Sequence, residues 1–288
     1  MMHNLLLAVA GLGVGIIVGL TGVGGGALMT PILTLVFGID PLAAVSSDLL
    51  ASLVMKPVGS AVHARRGTIN IPIVAWLTVS SVPAAFCGVL VLRQFTDPEQ
   101  LARTIKTLLG MALLLAVAGI VTRMVLSRRR PPGGPVGKPA VRPLPTLLVG
   151  AGAGLMVGLT SVGSGSLVVV ALMFIYPAIA DSDLVGTDLL QAIPMVGAAA
   201  IGHAVFGDLH LNVTIALLVG ALPGVYLGAR MSARQSTTSL KPVLAGVLFV
   251  SALRLLGAGN ATVAVAVVTI TAGLAARAFA ARRERSFA

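Results

Sequence analysis

Apolar stretches of about 20 residues recur at roughly 42–62, 71–92, 101–126, 182–204, 212–231, 239–256 and 260–281. At about 1.5 Å per helical residue, each covers a hydrocarbon core roughly 30 Å thick, so each predicts a transmembrane helix. Two longer apolar segments, 4–38 and 145–180, are interrupted by glycine and serine. The interruptions are Thr21-Gly22-Val23-Gly24-Gly25-Gly26 and Thr160-Ser161-Val162-Gly163-Ser164-Gly165-Ser166. Each segment predicts two short helices meeting at a non-helical tip. The one sizeable polar stretch, Ser127 to Pro145, contains Arg128-Arg129-Arg130-Pro131-Pro132-Gly133-Gly134 and has linker composition.

Residues 11–30 align with 150–169 at eleven identities in twenty, and with one residue inserted the alignment continues at an offset of 140. Ser47-Asp48-Leu49-Leu50 falls on Thr187-Asp188-Leu189-Leu190, Met55 on Met195, His63 on His203, Gly67 on Gly207, Pro83 on Pro223 and Gly88 on Gly228. The chain is an internal duplication. Each copy holds one hairpin, whose ends emerge on the same side, and three crossings. That odd number turns the second copy upside down, the inverted-repeat plan of many secondary transporters. The expected organisation is a first transmembrane repeat at 1–126, a cytoplasmic linker at 127–144, a second, inverted repeat at 145–259, and an extra C-terminal helix with a basic tail at 260–288.

Composition narrows the classes. The chain is 57% apolar and 10% charged, against the roughly 25% charged of a soluble domain. Its net charge of +11 therefore reads as membrane topology and not as a nucleic-acid surface. With the linker in the cytoplasm, fifteen Lys and Arg residues collect on that side; Arg93, Arg103, Lys106 and Arg254 fall on the other. The positive-inside rule thus predicts an external N-terminus and a cytoplasmic C-terminus. Met1 to Ala10 lacks a basic signal-peptide start, so the expectation keeps it in the mature protein. The single cysteine, Cys87, excludes a disulfide framework and a Cys-rich metal site.

The candidate chemistry sits at the interruptions. Non-helical backbone at membrane depth survives only when it is buried in protein or lines a watery cavity, and exposed N–H groups at a helix start favour an anion. Gly22, Gly24, Gly25, Gly26, Gly163 and Gly165 would let backbone approach the ligand; Thr21, Thr160, Ser161, Ser164 and Ser166 would add hydroxyl donors. The oxygens of a sulfonate, sulfite or phosphate suit such a site. The ladder Gly11, Gly15, Gly19, repeated as Gly150, Gly154, Gly158, reads instead as helix packing.

Asp48, Asp188 and Lys56 lie within apolar helices, where a charge costs on the order of 2.5–3.5 kcal/mol, so each needs a partner or a cavity. They are candidates for coupling or for shaping the pathway. Asp48 and Lys56, eight residues apart, point about 80° apart on one helix, too far to assume a pair. His63 and His203 end equivalent helices, and inversion places them on opposite faces of the membrane; a helix-end anchor competes with a proton relay. Pro31, Pro72, Pro83, Pro194 and Pro223 read as helix starts, kinks or breaks. An intramembrane serine hydrolase using Ser164 and His203 is disfavoured because Gly25 replaces Ser164 in the first copy.

These motifs, taken in order, resemble the sulfite exporter TauE/SafE family, the toluene sulfonate uptake permease group. The resemblance rests on Gly19-Leu20-Thr21-Gly22-Val23-Gly24-Gly25-Gly26 with Pro31, on Ser46-Ser47-Asp48-Leu49-Leu50 with Lys56, and on His63 through Arg65-Arg66-Gly67-Thr68-Ile69-Asn70. The second half repeats it with Gly186-Thr187-Asp188-Leu189-Leu190, His203 and Gly207. The likeness implies a bacterial inner-membrane carrier, commonly an exporter, for sulfite, sulfoacetate or other organosulfonates. Ser161, Ser164 and Ser166 depart from a pure glycine tip.

The combined expectation is an all-α polytopic membrane protein that is not an enzyme, has no cofactor and no resident metal, and acts as a secondary transporter of a small oxyanion by alternating access. Its partners would be the anionic substrate and the lipid bilayer, with no nucleic acid and with a homodimer left open. An uptake permease of the same fold is the alternative.

Overall fold

The computed structural model describes residues 2–21, 24–129, 140–206, 209–232 and 240–286. Gly22, Val23, Gly207, Arg234 and the linker's centre, 130–139, lie outside them. Eleven helices and no strands form among the described residues. The first repeat holds α1 (Met2–Thr21), α2 (Gly26–Leu35), α3 (Pro41–Arg65), α4 (Ile71–Leu92) and α5 (Pro98–Arg129). The second holds α6 (Pro143–Thr160), α7 (Ser166–Ile175), α8 (Asp181–Phe206), α9 (Leu211–Ser232) and α10 (Leu240–Leu255). The last helix is α11 (Asn260–Ser286).

Local chemistry sets several boundaries. Asp40 caps α3 by accepting from the Leu42 amide at 2.8 Å, and Asn70 caps α4 by accepting from the Ile73 amide at 3.3 Å. Prolines occupy the first turns of α3, α4 and α6. Gly67 ends α3 at φ +67 and Gly257 ends α10 at φ +82, the left-handed turn that glycine adopts without a Cβ penalty. Pro72 marks a helix start as expected; Pro31, Pro83, Pro194 and Pro223 lie inside continuous helices.

Among the described residues, seven helices are long and apolar enough to cross a membrane: α1, α3, α4, α5, α6, α8 and α9. Five of them, α3, α4, α5, α8 and α9, are crossings read from sequence, and α1 and α6 are the long arms of the two interrupted segments. The hairpins have unequal arms, because α1 and α6 stay helical for 20 and 18 residues and only α2 and α7 are short, at 10 residues each. The stretches read as crossings at 239–256 and 260–281 fall on α10, whose described part is 16 residues from Leu240, and on α11, which is helical for 27 residues.

The packing exchanges partners between repeats. α1 lies along α9, and α6 lies along α4. The glycine ladder makes these contacts possible. A Cβ on Gly15 would stand 2.5 Å from the Ala221 carbonyl oxygen; one on Gly150, Gly154 or Gly158 would strike the carbonyl of Leu77, Ser81 or Ala85. Gly220, Gly224 and Gly228 present the same close approach from α9 to Ala8, Leu12 and Ile16. Small residues thus let backbones touch where lipid gives no hydrophobic drive for helix association.

α3 and α8 run antiparallel at the centre. Near the start of α3, the Ser46 Oγ lies 2.9 Å from the Nδ1 of His203, near the end of α8. At the other end, the Asn70 amide just beyond α3 donates to the Thr187 Oγ1 of α8 at 3.0 Å. Outward faces carry exposed Leu5, Leu6, Val79, Leu148, Ile215 and Val219, while Ser46, Ser47, Asp48, Ser52 and Lys56 are buried. An apolar exterior around a polar interior suits lipid as solvent.

Candidate functional site

The two interruptions meet. A Cβ on Gly26 would collide with the Ser161 carbonyl, and one on Gly24 would stand 3.1 Å from both the Ser164 carbonyl oxygen and its Oγ. The start of α2 and the end of α6 are therefore in backbone contact across the repeats. Neither α2 nor α7 is capped by a side chain at its N-terminus, so both helix starts open at this junction with backbone N–H groups.

Glycine is needed in the second tip for its backbone. Gly163 and Gly165 adopt φ +148 and φ +97, regions that L side chains rarely enter. Ser161 adopts φ +60 and is the only described non-glycine residue with positive φ; a left-handed serine costs about 1 kcal/mol.

That strained serine is tied to the interior. The Ser161 Oγ donates to Asp48 Oδ2 at 2.6 Å, and the Thr30 Oγ1 of α2 donates to the same oxygen at 3.0 Å. The Ser52 Oγ lies 3.5 Å from Asp48 Oδ1. Lys56 Nζ donates to the Ser164 Oγ at 2.9 Å. Asp188 accepts from Gln191 Nε2 at 3.0 Å and from the Gly165 amide, and the Ser81 Oγ reaches Gln191 Oε1 at 3.4 Å. Lys56 lies within electrostatic reach of both aspartates. One buried cation thus acts on two buried carboxylates, with both tips arranged around them; opposite charges and hydroxyl donors offset what burial of each would cost alone.

Of the remaining sequence-derived candidates, Gly25 lies at the centre, where a Cβ would stand 3.4 Å from the Ser52 Oγ and 3.9 Å from Asp48 Oδ1, and the threonines turn back to their own helices. The Thr21 Oγ1 donates to the Ile17 carbonyl at 2.7 Å, and the Thr160 Oγ1 to the Met156 carbonyl at 2.8 Å, so these hydroxyls serve their own helices. Thr160 also closes its tip by accepting from the Val162 amide at 3.2 Å. Gly25 is the N-cap of α2, its carbonyl accepting from the Leu28 and Met29 amides. Ser166 is buried as the first residue of α7. Gly22 lies outside the described residues.

The histidines lie at opposite ends of the α3 and α8 pair. His203 is fully buried, with Nε2 donating to the Gly158 carbonyl at 2.9 Å. Half-buried His63 holds the Thr68 hydroxyl at 2.9 Å in the turn after α3. The Ser164 and His203 pairing of a serine hydrolase does not form, because the neighbour of Ser164 is Lys56. Among the described residues, no group of three or more His, Cys, Asp or Glu side chains converges as a metal cluster would. An apolar groove of about 720 Å³, lined by Asn4, Leu5, Ala8, Asn212, Ile215, Ala216 and Val219, includes no tip residue.

Thr30, Ser52 and Gln191 are not singled out in the sequence, and Ser46 enters only as part of the Ser46-Ser47-Asp48 motif. A signal existed for one of them: Asp48, Ser52, Lys56 and Ser60 recur every four residues, a polar stripe along an otherwise apolar helix, and all four are buried.

Helices with an apolar exterior, two of them broken where they meet at a polar centre, define a multi-pass membrane transport protein. Residues 7–255 match the family profile described as "Sulfite exporter TauE/SafE", and the chain belongs to that family. It is 39% identical over 252 residues to the probable membrane transporter protein YjnA of Bacillus subtilis (strain 168), covering 85% of this chain and 97% of that protein. It is 26% identical over 240 residues to the probable membrane transporter protein YdhB of the same organism, covering 81% and 95%. No solved structure matches.

Proposed function

We propose that the chain is a secondary transporter that exports a small sulfur-containing oxyanion, such as sulfite, sulfoacetate or another organosulfonate, across a bacterial inner membrane. The carrying observation is the Lys56 Nζ, 2.9 Å from the Ser164 Oγ, where the two tips touch. A fixed cation, hydroxyl donors and two helix starts favour a compact anion with several equivalent oxygens. The family description supports sulfite as one candidate.

In this reading the tips form one site near the bilayer midplane, and the inverted repeats rock around it for alternating access. The exchanged packing of α1 with α9 and of α6 with α4 supports a twofold relation between the repeats. The charge asymmetry supports an external N-terminus and a cytoplasmic C-terminus. Asp48, Lys56 and Asp188 shape and couple the pathway, while His63 and His203 anchor helix ends.

Flux into proteoliposomes tests the proposal, using sulfite, sulfoacetate, taurine, sulfate and phosphate with and without a pH gradient. Saturable flux that favours the sulfur oxyanions supports it. A folded protein that moves none of the five overturns it.

A further inference from the structure

We infer that Asp48, and not its repeat partner Asp188, is the proton site linked to anion loading, its carboxylate holding the Ser161 hydroxyl in place of the substrate. The inference rests on the oxyanion-carrier reading.

Both aspartates are buried, yet they hold different things. Asp48 binds Thr30 behind the first tip and Ser161 in the second, so one carboxylate ties the two tips together. Asp188 binds Gln191 of its own helix and the Gly165 amide of its own repeat's tip. A change of charge at Asp48 therefore acts through direct hydrogen bonds on both tips; among the described residues, Asp188 hydrogen-bonds only within its own repeat and reaches the other through the charge of Lys56 and through Gln191 and Ser81.

Ser161 supplies a second, independent observation. Its φ of +60 suits glycine, and the matching position in the first repeat is Gly22. The serine keeps a strained backbone and delivers one hydroxyl to Asp48. A hydroxyl has a single proton to donate, so Ser161 can serve the carboxylate or a substrate oxygen, but not both at once.

When a proton from water binds Asp48, the negative charge is lost and the carboxylic acid becomes a donor in its own right. The Ser161 O–H then turns to the substrate oxygen, and the repulsion between carboxylate and anion ends. Proton and anion load together, one of each, with no covalent step. The charged neighbours are few among the described residues. Lys56 shares the helix, Asp188 and the Ser46-bonded His203 lie on the adjoining α8, and Arg123 of α5 acts on Asp188. α2 and the second tip offer hydroxyls, and the ionisable Tyr226 and Arg230 of α9 are exposed. Export by such a carrier runs when the internal excess of anion outweighs the inward proton gradient.

The test is sulfoacetate flux by the full chain in proteoliposomes over a range of pH near neutrality, where the probe's charge is constant. For the wild type, half-saturation should rise toward about tenfold per pH unit on the alkaline side. Asp48→Asn should abolish that slope, and Ser161→Gly, which suits the left-handed backbone and so guards against misfolding, should reduce it. Asp188→Asn should keep the slope, whatever it does to the rate. A slope that persists in both Asp48→Asn and Ser161→Gly, or that vanishes only in Asp188→Asn, overturns the inference; so does wild-type flux without pH dependence. Failure of the folded wild type to carry any oxyanion overturns the carrier reading itself, and the inference with it.

Discussion

Lys56 and Ser164 are 108 residues apart in the chain and 2.9 Å apart in space. The contact joins the central helix of the first repeat to the tip of the second. It exists only because α3 passes the point where the two interrupted hairpins touch. Val196 occupies the position of Lys56 in the second copy, so this cation has no counterpart there although the sequence is duplicated.

Replacing that cation should affect stability and transport together. Lys56→Met removes the positive charge that acts on both buried aspartates and leaves the Ser164 hydroxyl without its ammonium donor. Thermal unfolding in detergent should show a large drop, and oxyanion flux per folded molecule should fall at least about tenfold. Adding Asp48→Asn should recover part of the stability but not the flux.

The glycine ladder gives a contrast within one helix. A Cβ at Gly154 meets the Ser81 backbone, whereas nothing lies within 4 Å of one at Gly152. Gly154→Val should therefore abolish folded yield, at a cost of more than about 3 kcal/mol, and Gly152→Val should be tolerated. Size-exclusion profiles of the two purified variants decide it.

His203 bridges three helices, through Ser46 of α3 and the Gly158 carbonyl of α6. His203→Ala leaves that carbonyl without its imidazole donor in the interior and should cost about 1–3 kcal/mol in thermal stability. The pH profile of flux should keep its wild-type shape. A lost pH response with intact stability would make the residue a proton relay instead of an anchor.

Orientation is open to a direct check. A reporter fused after Ala288 should be active in the cytoplasm, and one fused before Met1 should be active outside. The reverse pattern would overturn the proposed sidedness.

Much of the scaffold is legible in the residues themselves. The register linking Asp48 to Asp188 and the glycine ladder to its repeat discloses the duplication, and glycines four apart announce backbone contact. The broken segments were also readable, but not their unequal arms: hydropathy does not show that the helix runs unbroken to Thr21 and Thr160 before it stops. Charges inside apolar helices marked Asp48, Lys56 and Asp188 as needing partners. Which partners they take was not legible, because Ser161 reaches Asp48 and Ser164 reaches Lys56 across more than a hundred residues, by way of inter-repeat packing that no local pattern encodes. Thr30 and Gln191 are ordinary helix residues in sequence and gain meaning only beside those carboxylates.

The central claim is that the touching tips form the substrate site. Its most direct test is counterflow of labelled sulfite and sulfoacetate in proteoliposomes, comparing wild type, Gly26→Ala and Gly152→Ala. Gly26→Ala places a methyl group against the Ser161 carbonyl and forces the tips apart; Gly152→Ala meets open space. The account predicts saturable counterflow in wild type and Gly152→Ala, and at least about a tenfold loss in a Gly26→Ala protein that still folds. Equal counterflow in all three would contradict it.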